Sequence, residues 1–250
     1  MPFVSPTRMT AGFTQEPSFR PFGQIGVPNP AFYAQQFDDF TAYDVTGYTV
    51  TASGNGAAAQ IAGAGGVVQL TTNSSTPLVD DIASIQCKAA CMGLVNGYKA
   101  LFAARFQVAD ITNPAFLLGL IQTTATPFTV TDGIYFSKAS GSTNILFNHA
   151  ISSVITSTTI PVATSGLAAN TYLSVAVVKN QKNELEVYVG EPLVGQVLDQ
   201  NRASMPVSMV ARLAPAVITT AVLNPTLALQ SGTASSKTMN VDYVYAATER

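Results

Sequence analysis

Residues Gly97–Lys138 read GYKALFAARFQVADITNPAFLLGLIQTTATPFTVTDGIYFSK. The run from Tyr98 to Val108 alternates in its side chains. Tyr98, Ala100, Phe102, Ala104, Phe106 and Val108 share one face. Lys99, Leu101, Ala103, Arg105 and Gln107 share the other, and three of those five are polar. A period of two places alternate side chains on opposite sides of a pleated sheet. The run therefore predicts a strand with one face in a core and the other largely wetted. Ala115–Thr123 and Gly133–Ser140 follow as further strands.

Elsewhere the pattern is the same. Strand candidates are Tyr48–Ser53, Gly65–Thr72, Asn144–Ala150, Ile151–Pro161, Thr171–Val178, Glu184–Gly190, Leu193–Leu198, Thr226–Gln230 and Met239–Ala246. Ala83–Met92 is weaker, because Ile85, Ala89 and Met92 also fit a helical face. Residues 203–223, broken by Pro206 and Pro215, read as a loop with a short strand or helical turn. Gly54–Gly56 and Ser140–Thr143 are turn signals, and Lys179–Asn183 closes the clearest hairpin. No amphipathic helix of ten or more residues appears. About twelve short strands separated by turns predict an all-β, two-sheet antiparallel sandwich or jelly roll.

Residues 1–36 differ in kind. They hold six of the 14 prolines, interleaved with Phe3, Phe13, Phe19, Phe22, Phe32 and Tyr33. Proline is excluded from central strands and helix interiors, and aromatics are not typical of a solvated linker. The segment reads as an extended arm whose rings bind a partner surface, on this domain or a neighbour. The expected division is arm 1–36 and sandwich 37–250.

Only 10% of the residues are charged, with net charge −2 and mean hydropathy +0.27, against roughly 25% charged in ordinary domains. Such a surface suits cover by partners. The scattered Lys and Arg exclude sequence-independent nucleic-acid binding, which needs clustered cations. No apolar run reaches the ~20 residues of a membrane span. No secretory signal is visible, so synthesis in the cytoplasm, or exit by a route that needs no signal, is expected. Cys87 and Cys91 on one strand would stand roughly 13 Å apart, beyond the about 7 Å a disulfide spans. They read as two buried thiols.

The segments FDDF (37–40), GGVVQLTT (65–72), YKALFAARFQV (98–108), FLLGLIQT (116–123), DGIYFSK (132–138), NELEVYVG (183–190) and VDYVYAA (241–247) occur in that order. Together they resemble phage virion proteins built on a concanavalin A-like (laminin G-like) jelly roll. The resemblance covers about residues 37–250 and rests on order and spacing. It implies a non-enzymatic virion protein of the capsid decoration or cement type, on the outer capsid surface. Its expected partners are the major capsid protein and neighbouring copies of itself, as a homo-oligomer such as a trimer. The alternative is a carbohydrate-binding jelly roll on a head fibre or tail, with a host glycan as ligand.

No catalytic, cofactor or metal site is expected. Glu184 and Glu186 share a strand face, yet the E-x-D-x-E run of jelly-roll glycosidases is absent, and a retaining pair must lie about 5–5.5 Å apart. The doublets Asp38-Asp39 and Asp80-Asp81 read as turn caps before calcium ligands. Asp242 is expected to pair locally. The sole histidine, His149, has no nucleophile near it in sequence. With no Trp in the chain, a sugar platform would fall to Tyr43, Tyr48, Tyr135 or Tyr188.

Overall fold

The computed structural model describes residues 33–62, 66–73, 75–88, 92–190, 207–215 and 217–249. Sixteen strands, numbered in chain order, form two antiparallel sheets among these residues. Sheet A runs β14 (Val207–Leu213), β13 (Leu185–Gly190), β12 (Leu173–Lys179), β7 (Ala100–Val108), β16 (Thr238–Glu249), β4 (Val67–Thr71), β3 (Ala57–Ile61), and β1 (Tyr33–Asp38) also pairs with β16. Sheet B runs β11 (Val154–Ile160), β10 (Ile145–Ile151), β9 (Gly133–Lys138), β8 (Ala115–Ile121), β15 (Val222–Gln230), β5 (Ile82–Cys87), β2 (Tyr48–Ala52), with the short β6 (Met92–Gly93) beside β15. A 3-10 turn at Val45–Gly47 and a one-turn helix α1 (Val162–Ser165) complete the described elements.

The inner faces of the sheets share one apolar layer. Phe106 of β7 meets Phe116 of β8 edge-on, ring centroids 5.0 Å apart, and so joins sheet A to sheet B. Phe136 and Phe147 pack at a tilt within sheet B, ring centroids 5.3 Å apart. Burying each such ring contributes on the order of 1.5–3 kcal/mol. Gly119 in β8 is set by sterics: a Cβ there would lie 2.4 Å from the Tyr135 Cβ on β9.

The sandwich expected from the sequence is present, with local differences. Strand pairing begins at Tyr33, inside the segment expected to be arm, because Tyr33–Asp38 pairs with Val244–Glu249. The alanine-rich β3 carries no strand signal; it is paired to β4, with Gln60 Nε2 donating to the Phe40 and Thr41 carbonyls. Residues 207–213, inside the stretch expected as a loop with a short strand or helical turn, form strand β14. Strand β15 starts at Val222, ahead of Pro225. The proline sits where β6 has ended and β5 has not begun, so that flank carries no ladder for it to break. The ambiguous run resolves as β5 and β6. Cys87 is buried and free. Cys91 and the expected strand at 193–198 lie outside the described residues.

The larger correction concerns β7. Its inner face is core from Ala100 to Val108, whereas Tyr98, expected on that face, precedes the strand and is exposed; the opposite face is not wetted at Leu101 and Ala103, which are 0% and 1% exposed. Only Arg105 and Gln107 remain half-exposed.

Two lysines are buried at strand ends. The Lys179 ammonium donates to the carbonyls of Val95 (2.8 Å) and Tyr98 (2.7 Å). The Lys138 ammonium donates to the carbonyls of Pro114 (2.6 Å), Ala139 (3.0 Å) and Thr112 (3.2 Å). Each thereby ties a loop to the sandwich. Burial pulls Lys138 down from 10.5 to about 8, against an opposing pull from Asp110. Between pH 8 and 10.5 the unfolded chain holds a proton that the folded chain has released, so stability rises with pH across that window. The slope is up to about 1.4 kcal/mol per pH unit. Urea midpoints are expected to rise between pH 8 and pH 9, below the range where the raised tyrosine phenols oppose the effect, and Lys138→Met to flatten the rise.

Candidate functional site

The outer face of sheet A collects the polar and aromatic side chains that the core does not use. The register across β4, β16 and β7 sets Gln69, Asn240 and Gln107 in one row. Gln69 Nε2 donates to Asn240 Oδ1 at 2.8 Å. The next row holds Tyr243, Arg105 and Ser174. A β-bulge shifts the β16 register between Val241 and Tyr243. Val241 faces the core, while Tyr243 and Tyr245 belong to the outer face. Bulges re-aim side chains in this way.

The bulge residue Asp242 accepts from Arg105 Nη1 at 2.8 Å. Its partner is thus on the adjacent strand, 137 residues away in sequence. The Arg105 guanidinium also stacks over the Tyr172 ring, 4.2 Å from the centroid. Its Nε is buried without a partner among the described residues. Gln69, Gln107, Tyr172, Asn240, Asp242 and Tyr243 are half-buried. Planar amides, a fixed guanidinium and tyrosine rings, all partly open to water, make a surface that hydrogen-bonds and stacks without a nucleophile.

Other expected positions resolve differently. Tyr48, Tyr135 and Tyr188 are buried, with the Tyr48 hydroxyl on Asp38 (2.6 Å) and the Tyr188 hydroxyl on Glu186 (2.8 Å). Tyr43 packs its ring against Phe40 and Tyr48. None of the four is an open sugar platform. Tyr172 and Tyr243 are half-buried on the outer face of sheet A, and no local pattern marked them, because the bulge and the cross-strand neighbour select them.

The Glu186 carboxylate accepts from Arg212 (2.6 Å) as well as Tyr188, and the Glu184 carboxylate accepts from Asn180 (2.7 Å). Asp38 caps the Phe40 N–H, Asp39 accepts from Thr41, and Asp81 accepts from the Leu78 N–H. No group of three or more potential metal ligands occurs among the described residues. Tyr33 lies in β1 and packs on the outer face of sheet A. Phe3, Phe13, Phe19, Phe22 and Phe32 lie outside the described residues.

A second concavity opens between the sheets at their β10–β11 and β14 ends. It is a cleft of about 460 Å³ lined by His149, Ile151, Thr156, Leu213, Pro215 and Val217 among others. The His149 Nε2 is buried with no partner among the described residues, and burial lowers its pKa. A neutral imidazole in a mostly apolar cleft offers one polar atom and no partner nucleophile.

No family model and no curated protein matches the chain. Solved structures do. A protein of unknown function from Shewanella oneidensis MR-1 superposes with a TM-score of 0.60 at 11% identity, over 98% of this chain and 95% of its own. The CBM2 module of the evolved Dit of Lactobacillus casei BL23 phage J-1 gives 0.57 at 10% identity, over 87% and 96%. The Bacillus licheniformis β-glucanase gives 0.58 at 14% identity, over 85% and 97%. The fold is a concanavalin A-like jelly roll. Identities this low establish the fold alone, and the fold serves binding modules and glycosidases alike.

Arg105 and Asp242 are each about a fifth exposed, so removing one partner strands the other. Arg105→Met is expected to lower stability by about 1–3 kcal/mol, read by urea denaturation, with β-sheet circular dichroism retained.

Proposed function

We propose that this protein is a non-enzymatic structural subunit of a phage virion. It decorates the outside of the head and bridges major capsid subunits and copies of itself. The observation that carries this reading is the open side of the sandwich. Sheet A ends in β14 and sheet B in β11, each paired on one flank only among the described residues, and the two flank the same cleft. Strand β11 reads VITSTTI, seven residues without a charge, proline or bulge. Val154, Ile155, Met209 and Val217 are exposed around it. A solitary domain blunts such an edge with lysine, proline or a covering loop; an assembling one leaves it to its neighbours. The resemblance in sequence and the low charge support the same reading. Modest energies per contact add up over many copies by avidity.

Heads assembled without this protein are expected to bind the purified chain saturably. Ile155→Lys is expected to weaken that binding by at least about tenfold, roughly 1.4 kcal/mol, while the sandwich stays folded. Equal binding of the variant would end the reading.

A second reading, glycan binding, is favoured by the Gln69–Asn240–Gln107 row and the Arg105–Tyr172 stack. A saturable hit on a glycan array, lost in Tyr172→Ala with the fold intact, is its expected signature. No hit on arrays of surface polysaccharides would remove it.

A further inference from the structure

We propose that the N-terminal segment, residues 1–32, lies across the outer face of sheet A of its own chain, in a trough running perpendicular to the strands. The observation is a burial that sheet A cannot supply by itself. Leu101, Ala103, Ala176, Val178, Tyr188, Tyr245 and Ala247 form a buried apolar cluster on the face turned away from the core. Every described member of the cluster, including the half-buried Tyr33 and Tyr243, belongs to sheet A. Side chains on one face of a single sheet stand side by side and leave their tips in water. Tips at 0–4% exposure require a covering layer.

The register gives the trough its shape. One row crosses the sheet as Ala247, Leu101, Val178 and Glu186. The row beside it runs Phe37, Tyr245, Ala103, Ala176 and Tyr188. Ala103 and Ala176 make a low floor, with Tyr245 and Tyr188 rising at its two ends. Small residues at a floor let a chain approach closely, and the flanking rings offer apolar contact. Burial pushes the Tyr245 phenol up to about 12, in keeping with a dry face.

The occupant follows from chain continuity. Residue 32 precedes β1, whose Tyr33 and Phe37 already sit at the margin of this face. Crossing from β16 to β13 needs roughly 15 Å at the usual strand spacing, and an extended chain covers that in about five residues. Residues 1–32 carry five phenylalanines and only three charges, Arg8, Glu16 and Arg20, a composition suited to a dry trough. The inference rests on burial and does not depend on the virion reading.

The chain contains no Trp, so a single tryptophan is an unambiguous reporter. Phe19→Trp and Phe22→Trp are made in the full-length protein and in a synthetic peptide of residues 1–32. In the protein, at least one Trp is expected to emit to the blue of the peptide and to resist acrylamide several-fold better, at all protein concentrations. Adding Ala103→Lys or Ala176→Lys, which point away from the core, is expected to return quenching to the peptide's value with circular dichroism unchanged. Three results overturn the proposal. Both Trp residues quench as in the peptide. Protection survives both lysine substitutions, which places the arm elsewhere and leaves the segment 191–206 to cover the face. Protection disappears on dilution, which makes the occupant the arm of a second copy.

Discussion

Strand β16 is the member on which sheet A depends. Its twelve residues pair with β7 on one flank, and with β4 and then β1 on the other. It brings Asn240 against Gln69 and Asp242 against Arg105, and its inner side chains Met239, Val241, Val244 and Ala246 enter the shared core. Without it sheet A falls into β14–β13–β12–β7, β4–β3 and a lone β1, and it is the last of the described strands. The sheet therefore closes through contacts of long sequence separation, the kind that makes β-sandwiches slow to fold. The single bulge in β16 also sets the candidate site. It turns the tyrosines outward and leaves a carboxylate beside the one arginine of β7.

Low charge shapes the rest. With few ionisable groups, several of them are placed where they hold something. Lys138 and Lys179 bind loop carbonyls at strand ends, Lys237 binds Asp110 at 2.9 Å, and Glu186 gathers Tyr188 and Arg212. Lys138, Lys179 and Glu186 are buried, so their hydrogen bonds hold neighbouring chain instead of solubilising a surface. The surface is left to Ser, Thr, Asn and Gln, and to edges such as β11 without a charged guard. Both proposals about partners draw on that condition: an edge open to neighbours, and an outer face dry enough to need a cover.

The inner face of β7, the hairpin of β12 and β13, and the strands around Leu118, Phe136 and Phe147 are legible from sequence, because burial on one side of a pleat writes a period of two. Strand β3 is not, since Ala57–Ile61 has no such pattern and is a strand only because β4 pairs with it. Pro225 conceals the first half of β15, as the gap between β6 and β5 is a property of neighbours. The candidate site is less legible still. Tyr172 and Tyr243 look like many surface tyrosines until the bulge and the Arg105 stack single them out, whereas Tyr48, Tyr135 and Tyr188 are buried by elements far away in the chain.

By itself the sequence determined the class of fold, the faces that meet between the sheets and the distinct character of the N-terminal segment. Those are local matters of periodicity, turn chemistry and proline content. Tertiary structure alone decided which outward faces are wet. Leu101 and Ala103 alternate with the core residues of β7 as solvent-facing side chains do, yet they are buried. Alternation encodes which side of a strand a residue takes. It carries no information about what lies beyond that side, because that is set by contacts between residues remote in sequence.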